Sequence, residues 1–104
     1  MKIKEISYVE GLEKAAKFFE ALGHPIRLAI IKCVLESREA SWSDIVKHLE
    51  LLFGRMNPNT VNFHLTKLVL DGVLEKRGNK YVIAEKVARR ILAVIVEELG
   101  PRDI

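Results

Sequence analysis

The stretch "NPNTVNFHLTKL", residues 57–68, predicts an amphipathic helix with an unusual outer face. Asn57 is a natural N-cap, and Pro58 suits the first helical position because its ring presets φ and its missing N–H is not needed there. Three apolar side chains form one core-facing stripe, Val61, Leu65 and Leu68. The opposite face carries two amides, a hydroxyl and an aromatic ring, from Asn59, Asn62, Thr66 and Phe63. This composition raises the question of what that face binds.

Length and composition predict one folded domain over residues 1–104. The chain is 49% hydrophobic and 30% charged, which is typical of a globular protein. No apolar run approaches the roughly 18 residues that a membrane span needs, and the N-terminus is too polar for a signal peptide. Cys33 is the single cysteine, so a disulfide within the chain is excluded. We expect a cytoplasmic protein.

The basic residues are concentrated in one part of the chain. Residues 55–90 contain eight Lys and Arg residues and three Asp and Glu residues, which gives this region a net charge of +5. The whole chain has a net charge of +3. A basic region that includes a helix with a polar face is typical of a protein with a polyanionic partner. A well-solvated surface is the alternative that charge alone leaves open.

The pattern of caps, stripes and turns predicts five helices and one hairpin. The fold class is mainly α with a small β-hairpin, in the order helix–helix–helix–helix–hairpin–helix. The third helix is expected to begin at the capping box "SWSD", and the hairpin to turn at Gly78-Asn79. The predicted elements are helices over about 9–22, from Pro25, from Ser41, over about 57–71 and over about 85–99, with the hairpin over about 73–83.

Apolar rows then predict which faces are buried. The first helix carries the row Leu12, Ala15, Ala16, Phe19 and Leu22, and in the hairpin Leu74 and Val82 are expected to point to the core. The last helix carries two rows, where a surface helix of a small domain usually needs one. We therefore expect the two terminal helices, about 9–22 and 85–99, to form a twofold dimer interface.

These elements resemble a known family of regulators. The runs "ALGHPIRLAIIKCVLE", "SWSDIVKHL" and "TVNFHLTKLVLDGVLEKRGNKY" are similar to the winged helix-turn-helix of ArsR-type transcriptional regulators, over about residues 12–99. The resemblance implies a homodimeric, sequence-specific DNA-binding protein that acts as a repressor. Its helix 57–71 would enter the major groove of double-stranded DNA, and its wing would touch the backbone or the minor groove. An alternative is a winged-helix module for protein interaction without specific DNA binding.

The resemblance also implies candidate DNA contacts. On the helix they are Asn59, Asn62, Phe63 and Thr66, and on the wing Lys76, Arg77 and Lys80. Beyond what the resemblance implies, Thr60 and Lys67 on the helix and Arg55 in the preceding loop are further candidates. Asn matches the adenine edge and an apolar group can contact the thymine methyl, which supports this assignment independently. Phe63 packed beneath the wing or the preceding loop, and Arg55 simply solvated, are the alternatives.

Two departures from the family pattern matter. The third helix, "SWSDIVKHL", lacks the closely spaced cysteines of metal-sensing members, so we expect no metal and no cofactor. The turn before the recognition helix, about residues 50–57, is longer than usual. Either the third helix continues through Leu52 and Phe53, or an extra loop lies there.

Other chemistry is weakly represented. The three histidines fall on different predicted helices and lack ligand spacing, and His64 is expected to be structural, although a metal site shared across a dimer stays open. Cys33 is expected to be a small buried hydrophobe. Arg27 either reaches a DNA phosphate or pairs with an acid such as Glu36 or Asp71. No nucleophile–base pair or phosphate loop is present, so we do not expect an enzyme.

Overall fold

Local capping signals place the central helices where the sequence predicts them. The computed structural model describes residues 3–87 and the side chains of residues 8–87. The side chain of Ser41 accepts a hydrogen bond from the N–H of Asp44, and the carboxylate of Asp44 accepts one from the N–H of Ser41. This reciprocal capping box starts helix α3. His24 caps α2 through Nδ1, and Asn57 caps α4 through its side-chain oxygen.

Residues 3–87 form four helices and three short strands. The chain begins with helices α1 (Ile3–Leu22) and α2 (Pro25–Ser37), which are followed by strand β1 (Glu39–Ser41). Next come helices α3 (Trp42–Phe53) and α4 (Pro58–Leu70), and then strands β2 (Leu74–Arg77) and β3 (Lys80–Ile83). The helix α3 therefore continues through Leu52 and Phe53, and Gly54, with φ 82°, ends it. The longer turn is explained by helix extension.

A three-stranded antiparallel sheet replaces the expected two-stranded hairpin. Strand β3 lies between β1 and β2, with Ala40 opposite Tyr81 and Leu74 opposite Ile83. The segment β1 was not predicted, because three residues between two helices show no alternation of apolar and polar side chains. The prediction that Val82 faces the core is wrong: Tyr81 and Ile83 are buried, and Val82 is half-buried.

The core lies between α2, α3, α4 and the sheet. Its largest fully buried side chains are Ile30, Ile31, Val34, Ile45, Leu49, Val61, Leu65, Leu68, Val73 and Leu74. The apolar stripe predicted for α4 is thus confirmed. Helix α4 ends in a Schellman motif, in which Val73 N–H donates to Leu68 O and Gly72 N–H to Val69 O, with Gly72 at φ 77°.

The two ends of the described chain differ from expectation. Helix α1 begins at Ile3 rather than near Val9, and its predicted apolar row is largely exposed, with Leu12 at 52% and Phe19 at 54%. Of that row only Leu22 is buried, because α1 packs against the other described elements at its C-terminal end. Residues 85–87 form a turn, so the predicted fifth helix does not begin at Glu85, and its remainder lies outside the described residues.

Candidate nucleic-acid interface

Helix α4 presents the outer face that the sequence predicts. Asn57 Oδ1 accepts from the N–H of Asn59 over 2.8 Å, which fixes the start of the helix. The buried stripe then turns four side chains outward, and all four are exposed: Asn59, Asn62, Phe63 and Thr66. The side chain of Phe63 is 62% exposed, so it is not packed beneath the wing or the loop. Its ring approaches His64 edge-on, with the two centroids 5.4 Å apart.

The outer face extends further along α4 than the sequence pattern predicts. Leu70, seven residues after Phe63 and therefore two helical turns along the same side, is 78% exposed. Asn62, Phe63, Thr66, Lys67 and Leu70 together line one shallow open depression. The spacing from Phe63 to Leu70 was the signal that could have identified it. The face therefore has an amide half near its N-terminus and an apolar half near its C-terminus.

The outer face is tied to α3 by a hydrogen bond that sequence reasoning missed. The indole Nε1 of Trp42 donates to Oδ1 of Asn62 over 2.7 Å. Trp42 is half-buried and packs against the core, whereas Asn62 is exposed. Twenty residues separate the two, and no periodicity links them. One of the two outward amides is therefore held in a set orientation.

The wing carries its cations beside the apolar half of α4. Strands β2 and β3 are joined by a turn at Gly78, with φ 62°, and Arg77 lies opposite Lys80. Lys76 Nζ lies 5.7 Å from the ring centroid of Tyr81. Lys76 and Tyr81 line a second open groove together with Leu65, Thr66, Val69 and Leu70. The fold thus brings Lys76 of the wing and Thr66 and Leu70 of α4 to one groove, which adjoins the depression on the outer face.

The other predicted DNA contacts differ in their exposure and in their ion pairing. Arg77 and Lys76 are exposed and Lys80 is half-buried, and Arg77 also pairs with Glu75 over 3.0 Å. Lys67 pairs with Asp71 over 3.3 Å, one helical turn away. Arg55 is exposed in the loop between α3 and α4, and Thr60 is half-buried in the first turn of α4. The two ion pairs are at the surface, where such a pair contributes little to stability.

Beneath the outer face lies a cluster of His24, Arg27 and His64. Arg27 Nε donates to His64 Nδ1 over 3.2 Å, and its Nη1 donates to Ala21 O over 3.2 Å. The ring centroids of His24 and His64 lie 4.4 Å apart. Burial, followed by the charges of His24 and Arg27, lowers the pKa of His64. Asp71, one expected partner of Arg27, pairs with Lys67 instead, because Asp71 and Lys67 share a helical face.

Neither thiol nor metal chemistry stands out in the described residues. No group of three or more His, Cys, Asp or Glu side chains with metal-binding geometry occurs between residues 3 and 87. Cys33 is half-buried, and its pKa is raised by burial first and then by the nearby Asp44 and Glu36 carboxylates. A raised pKa keeps the thiol protonated and therefore a poor nucleophile.

The arrangement of α3, α4 and the β2–β3 ribbon is compatible with a winged helix-turn-helix. No known family profile matches the chain. The chain is 30% identical, over 93 residues, to an HTH-type transcriptional regulator of Methanocaldococcus jannaschii, a protein that is itself uncharacterized; the alignment covers 86% of this chain and 99% of the relative. The chain belongs to the HTH-type transcriptional regulators. None of the helices within residues 3–87 has the length and apolarity to cross a bilayer.

Proposed function

We propose that this protein is a homodimeric, sequence-specific DNA-binding repressor of the ArsR type, which acts in the cytoplasm as a binding protein and not as an enzyme. Helix α4 enters the major groove, and the wing contacts the backbone or the minor groove. One observation carries the proposal: the outer face of α4, with its amides and exposed ring, forms a continuous surface with the wing cation Lys76.

The side chains of that surface are of the types that contact bases and phosphates of a DNA duplex. An asparagine amide can pair with the adenine edge, and an apolar ring or leucine can contact thymine methyls in the major groove. Lys76, Arg77 and Lys80 supply the phosphate contacts that give protein–DNA binding most of its non-specific affinity. Phe63, Thr66 and Leu70 are exposed and line the same depression on α4. Because they lie side by side on one helix, they could contact neighbouring bases in the groove.

The exposed apolar side chains of helix α1 are an argument for dimerisation. Among its side chains from residue 8 onward, four large apolar ones are exposed, Tyr8, Val9, Leu12 and Phe19. A helix of this length gains most of its stability from burying an apolar face, and α1 buries little of it in the described chain. A second copy paired across this face would cover it, and the two recognition helices would then address half-sites roughly 34 Å apart.

The protein-interaction alternative has its own supporting observation. Leu51, Leu52 and Phe53 at the end of α3 are exposed, with Leu51 at 86%. A contiguous apolar patch of this kind is typical of a surface that binds another protein. In this alternative, the apolar side chains of α1 and α3 would contact another polypeptide and the basic wing would have no DNA to bind.

Two measurements separate these functions. Light scattering on the purified full chain gives the oligomeric state, and fluorescence anisotropy with a random-sequence duplex over a series of salt concentrations gives affinity and salt slope. We expect a dimer whose affinity falls steeply as salt rises, because phosphate binding releases counterions. A monomer that fails to bind duplex at low salt would contradict the proposal and favour the interaction module.

A further inference from the structure

We infer that Trp42 sets the base preference of Asn62 by holding its amide so that only the NH2 group is offered to DNA. This inference rests on the proposed function, since it assigns a reading role within the α4 face. It changes the expectation that Asn62 pairs with adenine through both ends of its amide. Trp42 is a positioning residue here, because it acts on DNA through Asn62.

The hydrogen bond itself determines which end of the amide faces outward. Trp42 Nε1 lies 2.7 Å from Asn62 Oδ1. An indole N–H is a donor only, so the group that faces it must be the amide oxygen and not the NH2. Rotating the amide by half a turn would oppose two donors and leave the indole N–H without an acceptor. The oxygen is therefore directed at α3, and the NH2 is the end left for a ligand.

The two residues are held by separate, rigid parts of the fold. Trp42 is the first residue of α3, directly after the capping residue Ser41, and its side chain packs against the core. Asn62 lies on α4 between the buried residues Val61 and His64. The indole is therefore placed by packing and capping rather than by Asn62, and it stays in position when DNA approaches.

This orientation has a consequence for base recognition. Pairing with both N6 and N7 of adenine requires an acceptor and a donor from the same amide, whereas Asn62 offers donors. Guanine N7 and O6 and thymine O4 accept hydrogen bonds in the major groove, and cytosine presents only its N4 donor there. Adenine also accepts at N7, but its adjacent N6 donor has no acceptor opposite it when Asn62 offers only NH2, so adenine is the poorer match. Asn59, whose side chain forms no hydrogen bond to residues 8–87, keeps both ends of its amide and stays the candidate for adenine.

The test compares base preferences selected from a pool of random duplexes. The proteins are the full-length wild type, Trp42→Phe, Asn62→Ala, Asn62→Asp and, as the matched control, Asn59→Ala. We expect the wild type to enrich guanine or thymine at one position of each half-site. Trp42→Phe should favour adenine at that position, with a change in discrimination on the order of tenfold. Asn62→Ala should lose the preference there, and Asn59→Ala should lose it at a different position.

A spectroscopic measurement checks the hydrogen bond without DNA. Trp42 is the only tryptophan, so the protein has a single indole N–H resonance. We expect this resonance to move upfield in Asn62→Ala and to stay downfield in Asn62→Asp, which keeps an oxygen acceptor but lacks the NH2 donor. Asn62→Asp should nevertheless lose the guanine or thymine preference, and this outcome is available even if Trp42→Phe does not fold.

Failure of the inference and failure of the proposed function give different results. If Trp42→Phe and wild type select the same bases at every position, or if the indole resonance is unaffected by Asn62→Ala, the inference is wrong while DNA binding stands. If the wild type enriches no duplex, the proposed function fails and the reading role fails with it.

Discussion

Arg27 on α2 donates from Nε to Nδ1 of His64 on α4 over 3.2 Å, and so joins α4 to α2. The same guanidinium reaches the carbonyl oxygen of Ala21 near the end of α1. Because Nδ1 of His64 accepts this bond, the imidazole is neutral, with its proton on Nε2. One side chain thus connects helices α1, α2 and α4.

The neutral His64 predicts a pH dependence of folding stability. Its pKa is lowered in the folded protein, so the unfolded chain binds more protons just below the ordinary value of 6.5. The stabilisation is complete above about pH 6.5 and is lost as the pH falls toward the folded-state pKa. We expect the free energy of unfolding, from denaturant titrations, to decline over that range. In His64→Gln the decline should be smaller; equal slopes in both proteins would contradict this role.

The capping box of α3 predicts a stability loss in Ser41→Ala. The substitution removes the acceptor for the N–H of Asp44, and we expect the free energy of unfolding to fall by about 1 kcal/mol. Ser43→Ala is the matched control, because Ser43 is exposed within the same first turn. Urea denaturation of both variants provides the measurement. A loss of equal size in Ser43→Ala would show that the cap is not responsible.

Alanine substitutions at two glycines, one after the end of α4 and one within α1, should have opposite effects on the melting temperature. Gly72 has φ 77°, a conformation that costs a residue with a Cβ roughly 1–2 kcal/mol, so Gly72→Ala should lower the melting temperature. Gly11 lies in helix α1 with open space around an added Cβ. Gly11→Ala should leave the melting temperature unchanged or raise it, because alanine favours helix over glycine. Calorimetry of the two variants tests this contrast.

The wing predicts a change in salt dependence. Replacing Lys76, Arg77 and Lys80 by Gln should weaken binding to all duplexes and reduce the log–log salt slope by roughly one unit for each phosphate that is no longer neutralised. Anisotropy titrations over a salt series give both quantities. A control removes the same charge at Lys14, Lys17 and Lys32, outside the wing and α4. If the wing variant keeps the wild-type affinity and slope, the docking geometry is wrong.

Phe63 predicts a loss of function without a loss of stability. Because the side chain is 62% exposed, Phe63→Ala should change the free energy of unfolding by less than about 1 kcal/mol. Its affinity for a selected duplex should nevertheless fall, since the apolar group that enters the groove is removed. Leu51→Ala is the control, as it truncates another exposed apolar residue on the preceding helix. Equal affinity of Phe63→Ala and wild type would remove this residue from the interface.

Much of the fold follows from signals that lie within one turn of the chain. The "SWSD" capping box, Asn57-Pro58 and Gly78-Asn79 each act through neighbouring backbone groups, so their sequence predicts the start of α3, the start of α4 and the hairpin turn. The stripe of Val61, Leu65 and Leu68 repeats at helical spacing, and it correctly predicts the buried side of α4.

The sequence alone therefore determined the helices α2 to α4, the ribbon and the outward side of α4, because caps, turns and helical periodicity are local. Only the tertiary structure decided the third strand, the burial of Tyr81 and Ile83 in place of Val82, and the partners of Arg27 and Asn62. Strand register depends on the neighbouring strand, and a hydrogen bond such as Trp42–Asn62 depends on how two helices pack, which no spacing along the chain encodes.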